Sequence, residues 1–443
     1  MGLVDSRRGR VAWASAIVAA AMMPAAARGG GEEAWFQPGS LEKQRQYERA
    51  LDSLVTAEAV AARGELFATV GGSEPAAARA FLAGLFGTFG LKVEEEHPAV
   101  DAESGVLAAL LPGSRLPHQE IVVGCRAAPD AAGAACIRVL ADAGRVLAEL
   151  ARRGARPSRT IRLALWPPTG AAAWVGAHEP DLRQDGIAYV DIRGPDAATG
   201  AVAAVRVSPS LASLAVSLEG GATRPADVTL FGVGGDIASF ATRAGLPVAV
   251  VQLAGAGPDE LAAAIRRVTL LAVRLTAADL LPLDPRGDVA ALLRGLRATG
   301  HSPETEVAQA LRRQSLSLQR AAEETAADLE RAVASGSLTL EAADAASWEL
   351  GQLARLWLDP RASPGESRHL LLADREGALP LPLLQEAAAE GGERLHRVQE
   401  RYVTLLRLVE ARLRVLQRLA EAPSPAPLES EELDVPAVGG PER

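Results

Sequence analysis

Cys125 is one residue of this sequence whose type and position could support catalysis. It follows the apolar run 119–124, which predicts a buried strand, and a cysteine at a strand end could act as a nucleophile. His118 or His178 would then serve as its base. A lone cysteine after a buried strand is more often a packing residue, and the sequence favours that interpretation.

The sequence has only two cysteines, Cys125 and Cys136, and they limit the chemistry that it can support. Two are too few for a disulfide scaffold, and they lack the paired spacing of a structural zinc site. They form either one disulfide or two buried thiols, and the sequence leaves both alternatives open.

Serine and glycine motifs give no stronger signal. Ser208 and Ser210 lie outside any G-x-S-x-G turn, so a serine hydrolase finds no support. The glycines within 232–235 have neither the Rossmann spacing nor the Lys-Ser/Thr pair of a phosphate loop. A tight turn before a helix is the better interpretation.

Strand and helix patterns alternate through the first two-thirds of the chain and would position these residues. Short apolar runs predict strands at 91–94, 106–111, 119–124, 159–166, 187–192 and 246–251. Helical periodicity separates them, for example over 133–153, 237–244 and, before the first strand, 41–70. The alternation predicts an α/β domain over about 45–283, with a mixed, largely parallel sheet and helices on both faces.

The final third of the chain has almost no strand pattern. Long helical periods cover 307–334, 338–358 and 381–420, which predicts an all-helical domain over about 285–422. The remaining residues, 423–443, are rich in Pro, Glu and Ser and are typical of a disordered tail.

The N-terminus has the composition of an export signal. Arg7, Arg8 and Arg10 precede the apolar run 11–23, and the small residues 25–27 follow. This order predicts a secretory signal peptide over 1–27, so we expect export to the periplasm or the cell exterior. An uncleaved signal would anchor the protein to a membrane. An Ala-rich helix of the folded domain is the alternative.

Charge excludes one class of partner. The net charge is −9 and no long run of Lys or Arg is present, whereas general nucleic-acid binders carry a basic face. We therefore expect no nucleic-acid partner.

Two segments carry a family likeness. In 119–166 the strand QEIVVG precedes a helix and then GARPSRTIRLALW; in 353–373 the chain reads LARLWLDPRASPGESRHLLLA. The first resembles the zinc aminopeptidase and glutamate carboxypeptidase family, and the second resembles the helical dimerisation domain of its transferrin-receptor branch. Segments 234–247 and 273–284 fit the same order, and the likeness covers most of 45–420.

The resemblance implies a zinc-exopeptidase fold followed by a helical domain that forms a homodimer. The residues of the dimer-domain motif are Trp357, Asp359, Pro360, Pro364, Arg368 and His369.

The resemblance also shows where the family's metal ligands and general base have been replaced. Active members use two zinc ions to polarise the substrate carbonyl and a glutamate as base. The family's ligand and base positions fall here at Cys125, Ala132, Thr169, Gly170 and Arg193. The first of these is a histidine in the family; the arginine that follows it there corresponds to Arg126. None of the five is a histidine or carboxylate. No histidine lies between 252 and 301 to supply the last ligand.

These substitutions predict an exported, catalytically inactive homologue of zinc exopeptidases that needs no cofactor. It would act as a dimeric binding or structural protein for an unidentified peptide, protein or small molecule. The alternative is an active metallo-exopeptidase in which Asp130 and Asp191 are displaced zinc ligands. A third possibility is a purely structural partner of another subunit.

Overall fold

The computed structural model describes residues 34–67, 74–97, 105–195, 204–219, 223–230, 232–298, 306–358, 369–372 and 380–421. The predicted signal peptide and the predicted disordered tail lie outside these residues. Within the described residues, no helix is both long and apolar enough to cross a membrane.

A seven-stranded mixed sheet forms the centre of the molecule. Its strands are β1 (Lys92–Glu96), β2 (Val106–Leu111), β3 (Leu116–Arg126), β4 (Arg159–Trp166), β5 (Gly186–Arg193), β6 (Ala204–Val207) and β7 (Val248–Gln252), in the order β1-β2-β4-β3-β5-β7-β6. The four central strands β4, β3, β5 and β7 run parallel, while β1, β2 and β6 pair antiparallel at the two edges. The six predicted strands are confirmed. Strand β6 was not predicted, because four residues at an edge carry too little hydrophobic pattern.

Helices cover both faces of the sheet, as predicted. The helices of this part are α1 (Pro38–Leu54), α2 (Ala57–Ala61), α3 (Pro75–Thr88), α4 (Ala131–Arg152), α5 (Ala172–Ala177), α6 (Glu179–Asp185), α7 (Ala212–Leu218), α8 (Pro225–Val228), α9 (Asp236–Ser239) and α10 (Pro258–Ala277). Alternate residues of β3 enter two apolar clusters: Ile121 and Val123 join the one that includes α4 and α10, and Val122 joins the one that includes α5 and α6. The alternation follows from the two-residue period of a strand.

Two predicted helices of the α/β part are interrupted. The periodic stretch 41–70 is not one helix: it contains α1, α2 and a 3₁₀ turn at Glu65–Phe67, because the Thr56 hydroxyl accepts a hydrogen bond from Ala59 N (3.1 Å) and starts a new helix. The predicted helix 237–244 consists of α9 and the π-helical turn Phe240–Ala244. Gly245 ends it with φ of +70°.

The last part of the chain is helical. It contains α11 (Pro285–Ala298), α12 (Glu306–Ser335), α13 (Leu340–Arg355), α14 (Pro382–Glu390) and α15 (Gly392–Glu421). The predicted helix 381–420 is wrong as a single element, because Gly391 and Gly392 both have positive φ and separate α14 from α15.

The apolar core continues from the sheet into these helices. Leu281, Val289, Leu350 and Leu413 belong to the same cluster as the α4 face of the sheet. Both parts therefore share one core, and the division into two domains near residue 284 stays a prediction.

Candidate functional site at the carboxyl ends of the central strands

Three neighbouring parallel strands bring most of the predicted site residues to one edge of the sheet. Cys125 lies opposite Leu165 of β4 and Ile192 of β5, and the strands end at Arg126, Trp166 and Arg193. The carboxyl edge of a parallel sheet is the usual place for ligands in open α/β folds. The positions that the resemblance identified are therefore close together.

Cys125 is bonded to Cys136 by a disulfide that joins the end of β3 to α4. Of the two alternatives left open by the sequence, the disulfide is the one that forms. A disulfide sulfur is neither a thiolate nucleophile nor a thiolate ligand.

The two histidines considered as bases lie elsewhere. His118 is exposed near the beginning of β3, whereas Cys125 is near its end. His178 stacks on Trp174 with ring centroids 4.3 Å apart, and its Nε2 lies 3.1 Å from Glu96 Oε2. The catalytic-cysteine alternative is wrong, because Cys125 has no thiol in this structure.

Arg126 forms a two-point ion pair with Asp236, the first residue of α9. Its Nε donates to Oδ2 (3.0 Å) and its Nη2 donates to Oδ1 (2.9 Å). Asp236 is buried and also accepts a hydrogen bond from Ala171 N (2.8 Å). The hydrogen bonds that Arg126 donates to Asp236 raise the pKa of Arg126 above its ordinary value, so the guanidinium stays charged.

Asp191 is held in a second buried network. Arg193 Nε donates to Oδ2 (2.7 Å), and the Tyr189 hydroxyl donates to Oδ1 (2.9 Å). Trp166 Nε1 in turn donates to the Tyr189 oxygen (3.0 Å). Burial raises the pKa of Asp191 although Arg193 opposes the shift, and burial raises the pKa of Tyr189 well above its usual value. Both oxygens of Asp191 therefore have hydrogen-bond donors.

Asp130, the other carboxylate proposed as a displaced ligand, caps a helix. Its Oδ1 accepts a hydrogen bond from Gly133 N (2.7 Å) at the start of α4. The backbone oxygen of Ala132 packs closely against Gly194. A Cβ added to Gly194 would lie only 2.3 Å from that oxygen. This part of the chain therefore has a structural role.

Thr169 and Gly170 occupy the loop after β4, where the resemblance expects two adjacent glutamates. Thr169 is exposed, and Gly170 has φ of +88°. A Cβ at Gly170 would lie 2.3 Å from Asp236 Oδ1 and 3.0 Å from Arg126 Nη2. A glutamate side chain at this position would therefore displace the ion pair.

The residues at this edge do not suit zinc. Zinc sites use deprotonated sulfur, neutral imidazole or carboxylate ligands, whereas a guanidinium only donates hydrogen bonds. The cysteine here is oxidised, and Asp191 and Asp236 are each bound by an arginine. Among the described residues, no group of three His, Cys, Asp or Glu side chains is arranged to hold a metal ion.

Comparison with known proteins gives structural matches alone: no family model and no curated protein sequence matches the chain. An M28 peptidase precursor from Shewanella amazonensis is 18% identical over 39% of this chain and 44% of its own, with a TM-score of 0.30. The LapA aminopeptidase of Legionella pneumophila is 11% identical over 53% of this chain and 75% of its own, with a TM-score of 0.38. A glutaminyl cyclase of an Acidobacteriales bacterium is 13% identical over 50% of this chain and 95% of its own, with a TM-score of 0.36.

The fold neighbours of this chain are zinc exopeptidases and related peptidase-like proteins. The match spans less than half of the Shewanella precursor's own length.

Two residues of the predicted dimer motif are described, and both are buried. Trp357 Nε1 donates to Asp288 Oδ2 of α11 (3.1 Å). His369 Nδ1 accepts hydrogen bonds from Leu371 N (3.2 Å) and Leu372 N (3.0 Å), and burial lowers its pKa to about 3. Asp359, Pro360, Pro364 and Arg368 lie outside the described residues.

Sequence reasoning missed Asp236 as a site residue. Its signal was present in the segment 234–247, which resembles a family motif with an aspartate at this point. Its partner Arg126 is 110 residues away in sequence.

Proposed function

We propose that this chain is an exported homologue of zinc exopeptidases that has lost peptidase chemistry and acts as a dimeric binding or structural protein. The observation that carries the proposal is the pair of arginines at the carboxyl ends of β3 and β5. Arg126 and Arg193 each bind a buried carboxylate at the edge where the resemblance expects metal ions.

Binding of zinc would require this edge to be rebuilt. Asp191 and Asp236 would have to exchange a charged hydrogen-bond donor for the metal, and each released guanidinium would need a new partner. The Cys125–Cys136 disulfide would also have to be reduced before either sulfur could bind zinc. The site's own contacts thus weigh against the alternative of an active metallo-exopeptidase.

The general base is missing as well. Peptide hydrolysis by this family's chemistry requires a carboxylate to accept a proton from the attacking water. Thr169 carries a neutral hydroxyl and Gly170 carries no side chain. Even a bound metal would therefore lack the residue that completes the reaction.

Export and dimerisation rest on separate support. The disulfide fits an oxidising compartment, in agreement with the signal-like N-terminus.

Large apolar side chains are about half exposed on α12, α13 and α15, where the resemblance expects a dimer interface; they are Leu316, Trp348 and Leu408. Sedimentation of the purified chain should give twice the monomer mass, and a monomer at all concentrations would contradict the dimer.

Peptidase assays test the loss of activity. The purified chain should hydrolyse neither aminopeptidase nor carboxypeptidase substrates when zinc is added, and a known zinc aminopeptidase in the same buffer is the control. The variant Thr169→Glu should also remain inactive, because one carboxylate does not restore the ligand set. Hydrolysis that depends on zinc and stops with a chelator would contradict the proposal.

A further inference from the structure

His178, one of the two histidines considered as a base, lies where α5 ends and α6 begins. Its Nδ1 is 2.9 Å from the backbone oxygen of Trp174, and its Nε2 is 3.1 Å from Glu96 Oε2. The side chain is 31% exposed, so the ring can exchange protons with the solvent. Each ring nitrogen of His178 therefore contacts an oxygen atom.

Both of these oxygen atoms act as hydrogen-bond acceptors. A backbone carbonyl has no proton to donate, and the carboxylate of Glu96 already accepts from Trp174 Nε1 (2.7 Å) and Arg162 Nη1 (3.1 Å). A neutral imidazole carries one N–H group, whereas an imidazolium carries two. The two contacts of His178 can therefore both be hydrogen bonds only when the ring is protonated.

The charged side chains of the sheet around this contact include more carboxylates than cations. They are Glu94, Glu96 and Lys92 of β1, Glu120 of β3 and Arg162 of β4, with Glu179, Arg183 and Arg243 on the α6 side. The three glutamates of the sheet all pair with Arg162, and Lys92 pairs with Glu94. Glu179 is paired with Arg183 and Arg243. A protonated His178 balances the charge that the sheet carboxylates leave uncompensated.

The contact also fixes one end of a short helix. Helix α5 has six residues, and a helix this short is not stable by itself, so its position depends on contacts with the rest of the chain. At its start, Ala171 N donates to Asp236 Oδ1 (2.8 Å). At its other end, His178 contacts Glu96 of β1, a strand at the edge of the sheet.

We propose that the contact between His178 and Glu96 is a pH-sensitive connection that holds α5 and α6 against β1 when His178 is protonated. When the ring loses a proton to solvent water, one ring nitrogen faces an oxygen with a lone pair, and the ion pair with Glu96 is lost. Imidazole is the side chain that ordinarily changes charge between about pH 5 and 8. The two helices are therefore held more tightly in weak acid than in weak base. The proposal is independent of the proposed function, because it uses neither ion pair at the strand ends.

Hydrogen–deuterium exchange of the full chain, measured by mass spectrometry at about pH 5.5 and about pH 8, tests this connection. After correction for the intrinsic pH dependence of amide exchange, the amides of 172–185 should be roughly threefold to tenfold less protected at the higher pH. That factor corresponds to the loss of about one hydrogen bond. The amides of α4, on the other face of the sheet, are the internal reference.

Two variants assign the effect to this contact. His178→Gln removes the titrating ring. In Glu96→Gln the amide can present its oxygen to a protonated ring or its N–H group to a neutral one. Both variants should lose the difference between the two pH values, and the second covers the risk that the first does not fold. The control His396→Gln changes a half-exposed histidine 3.4 Å from Glu400 on α15, and it should behave as wild type.

Titration of other buried groups, such as Asp288 and His369, is common to all four proteins, so comparison with wild type removes it. Equal corrected protection of 172–185 at the two pH values in wild type would overturn the inference. So would a wild-type pH difference that persists in either folded variant, His178→Gln or Glu96→Gln.

Discussion

At the scale of single residues, the site is a set of mutually dependent charges. A buried carboxylate left without a partner is strongly destabilising, and here each carboxylate is matched by a guanidinium. Arg126 and Asp236 can form their two-point pair because Gly170 leaves space beside them. The ion pair at this edge thus depends on the absence of a side chain at position 170 as well as on the arginine.

Gly170→Ala tests this dependence. The added Cβ would lie 2.3 Å from Asp236 Oδ1, and φ is +88°, so we expect a loss of roughly 2–4 kcal/mol in the free energy of unfolding. Gly154→Ala is the matched control, because Gly154 has φ of +100° with nothing within 4 Å of the added Cβ. Urea unfolding should show the larger loss for Gly170→Ala. Equal losses would mean that backbone strain alone limits position 170.

Part of this site could be predicted from the sequence. The strand ends that carry Cys125, Arg126 and Arg193 were recognisable, because short apolar runs mark buried strands. The pairing of Arg126 with Asp236 was not, since an ion pair between residues far apart in sequence depends on the tertiary fold. The disulfide was left open for the same reason.

At the scale of elements, a buried carboxylate connects the sheet to the helices. Asp288 of α11 accepts hydrogen bonds from Trp357 Nε1, just after α13, and from the backbone N–H of Ser210, beyond β6. It lines a cavity of about 10 Å³, large enough for roughly one water, together with His369. Burial, with a smaller contribution from the nearby Asp284, raises its pKa to about 7, although the two hydrogen bonds oppose the shift.

This pKa makes stability depend on pH. Because the pKa rises from 3.8 when unfolded to about 7 when folded, the folded chain binds the proton more tightly, and that stabilisation is lost as pH rises from about 4 to 7. Asp288→Asn keeps an oxygen acceptor for Trp357 and should remove this loss, at most about 4 kcal/mol. The free energy of unfolding, measured between about pH 4 and 8, should show this difference between the two proteins.

The control for this experiment is Asp52→Asn, at a carboxyl that is 53% exposed. His369 acts in the opposite direction, because its pKa is lowered from 6.5 to about 3 and its stabilisation is lost as pH falls through that range. The difference between wild type and Asp288→Asn isolates the carboxyl. Parallel curves for the two proteins would contradict the assignment.

The Cys125–Cys136 disulfide is a second connection between elements, from β3 to α4. For a sequence separation of 11 residues, loop closure in the unfolded chain predicts a stabilisation of about 3 kcal/mol. Wild type should therefore unfold at a lower urea concentration after reduction. The double variant Cys125→Ala/Cys136→Ala should not respond to the reductant, and a wild type that also fails to respond would show that the bond does not stabilise the fold.

Elements were easier to predict than their interruptions. The central strands are apolar along their length and could be recognised from composition alone. The breaks after α1 and between α14 and α15 depend on a capping threonine and on two glycines with positive φ. A single capping residue or glycine is a weaker sequence signal than a long amphipathic helical pattern, so the breaks were not predicted.

At the scale of the whole molecule, the sheet and the helical part depend on each other for burial. Ser347 Oγ accepts a hydrogen bond from Leu281 N (3.0 Å), and Arg115 pairs with Asp344 (2.8 Å). Leu281 and Leu283 are buried in the shared cluster. Contacts with the helical part therefore stabilise the sheet.

Deletion of the chain from Pro285 onward should expose this apolar surface. We expect the truncated protein to aggregate or to bind a hydrophobic dye strongly, as measured by size-exclusion chromatography and fluorescence against the full chain. A soluble, monodisperse truncation that does not bind the dye would show that the sheet part folds by itself.

The central claim is that the edge formed by β3, β4 and β5 holds ion pairs in place of zinc. The most direct test is the metal content of the purified chain by elemental mass spectrometry after dialysis against trace zinc. Arginine-paired carboxylates and an oxidised cysteine predict less than about a tenth of an equivalent of zinc. Close to two equivalents would contradict the account, because the arginines would then have to leave Asp191 and Asp236 in the native protein.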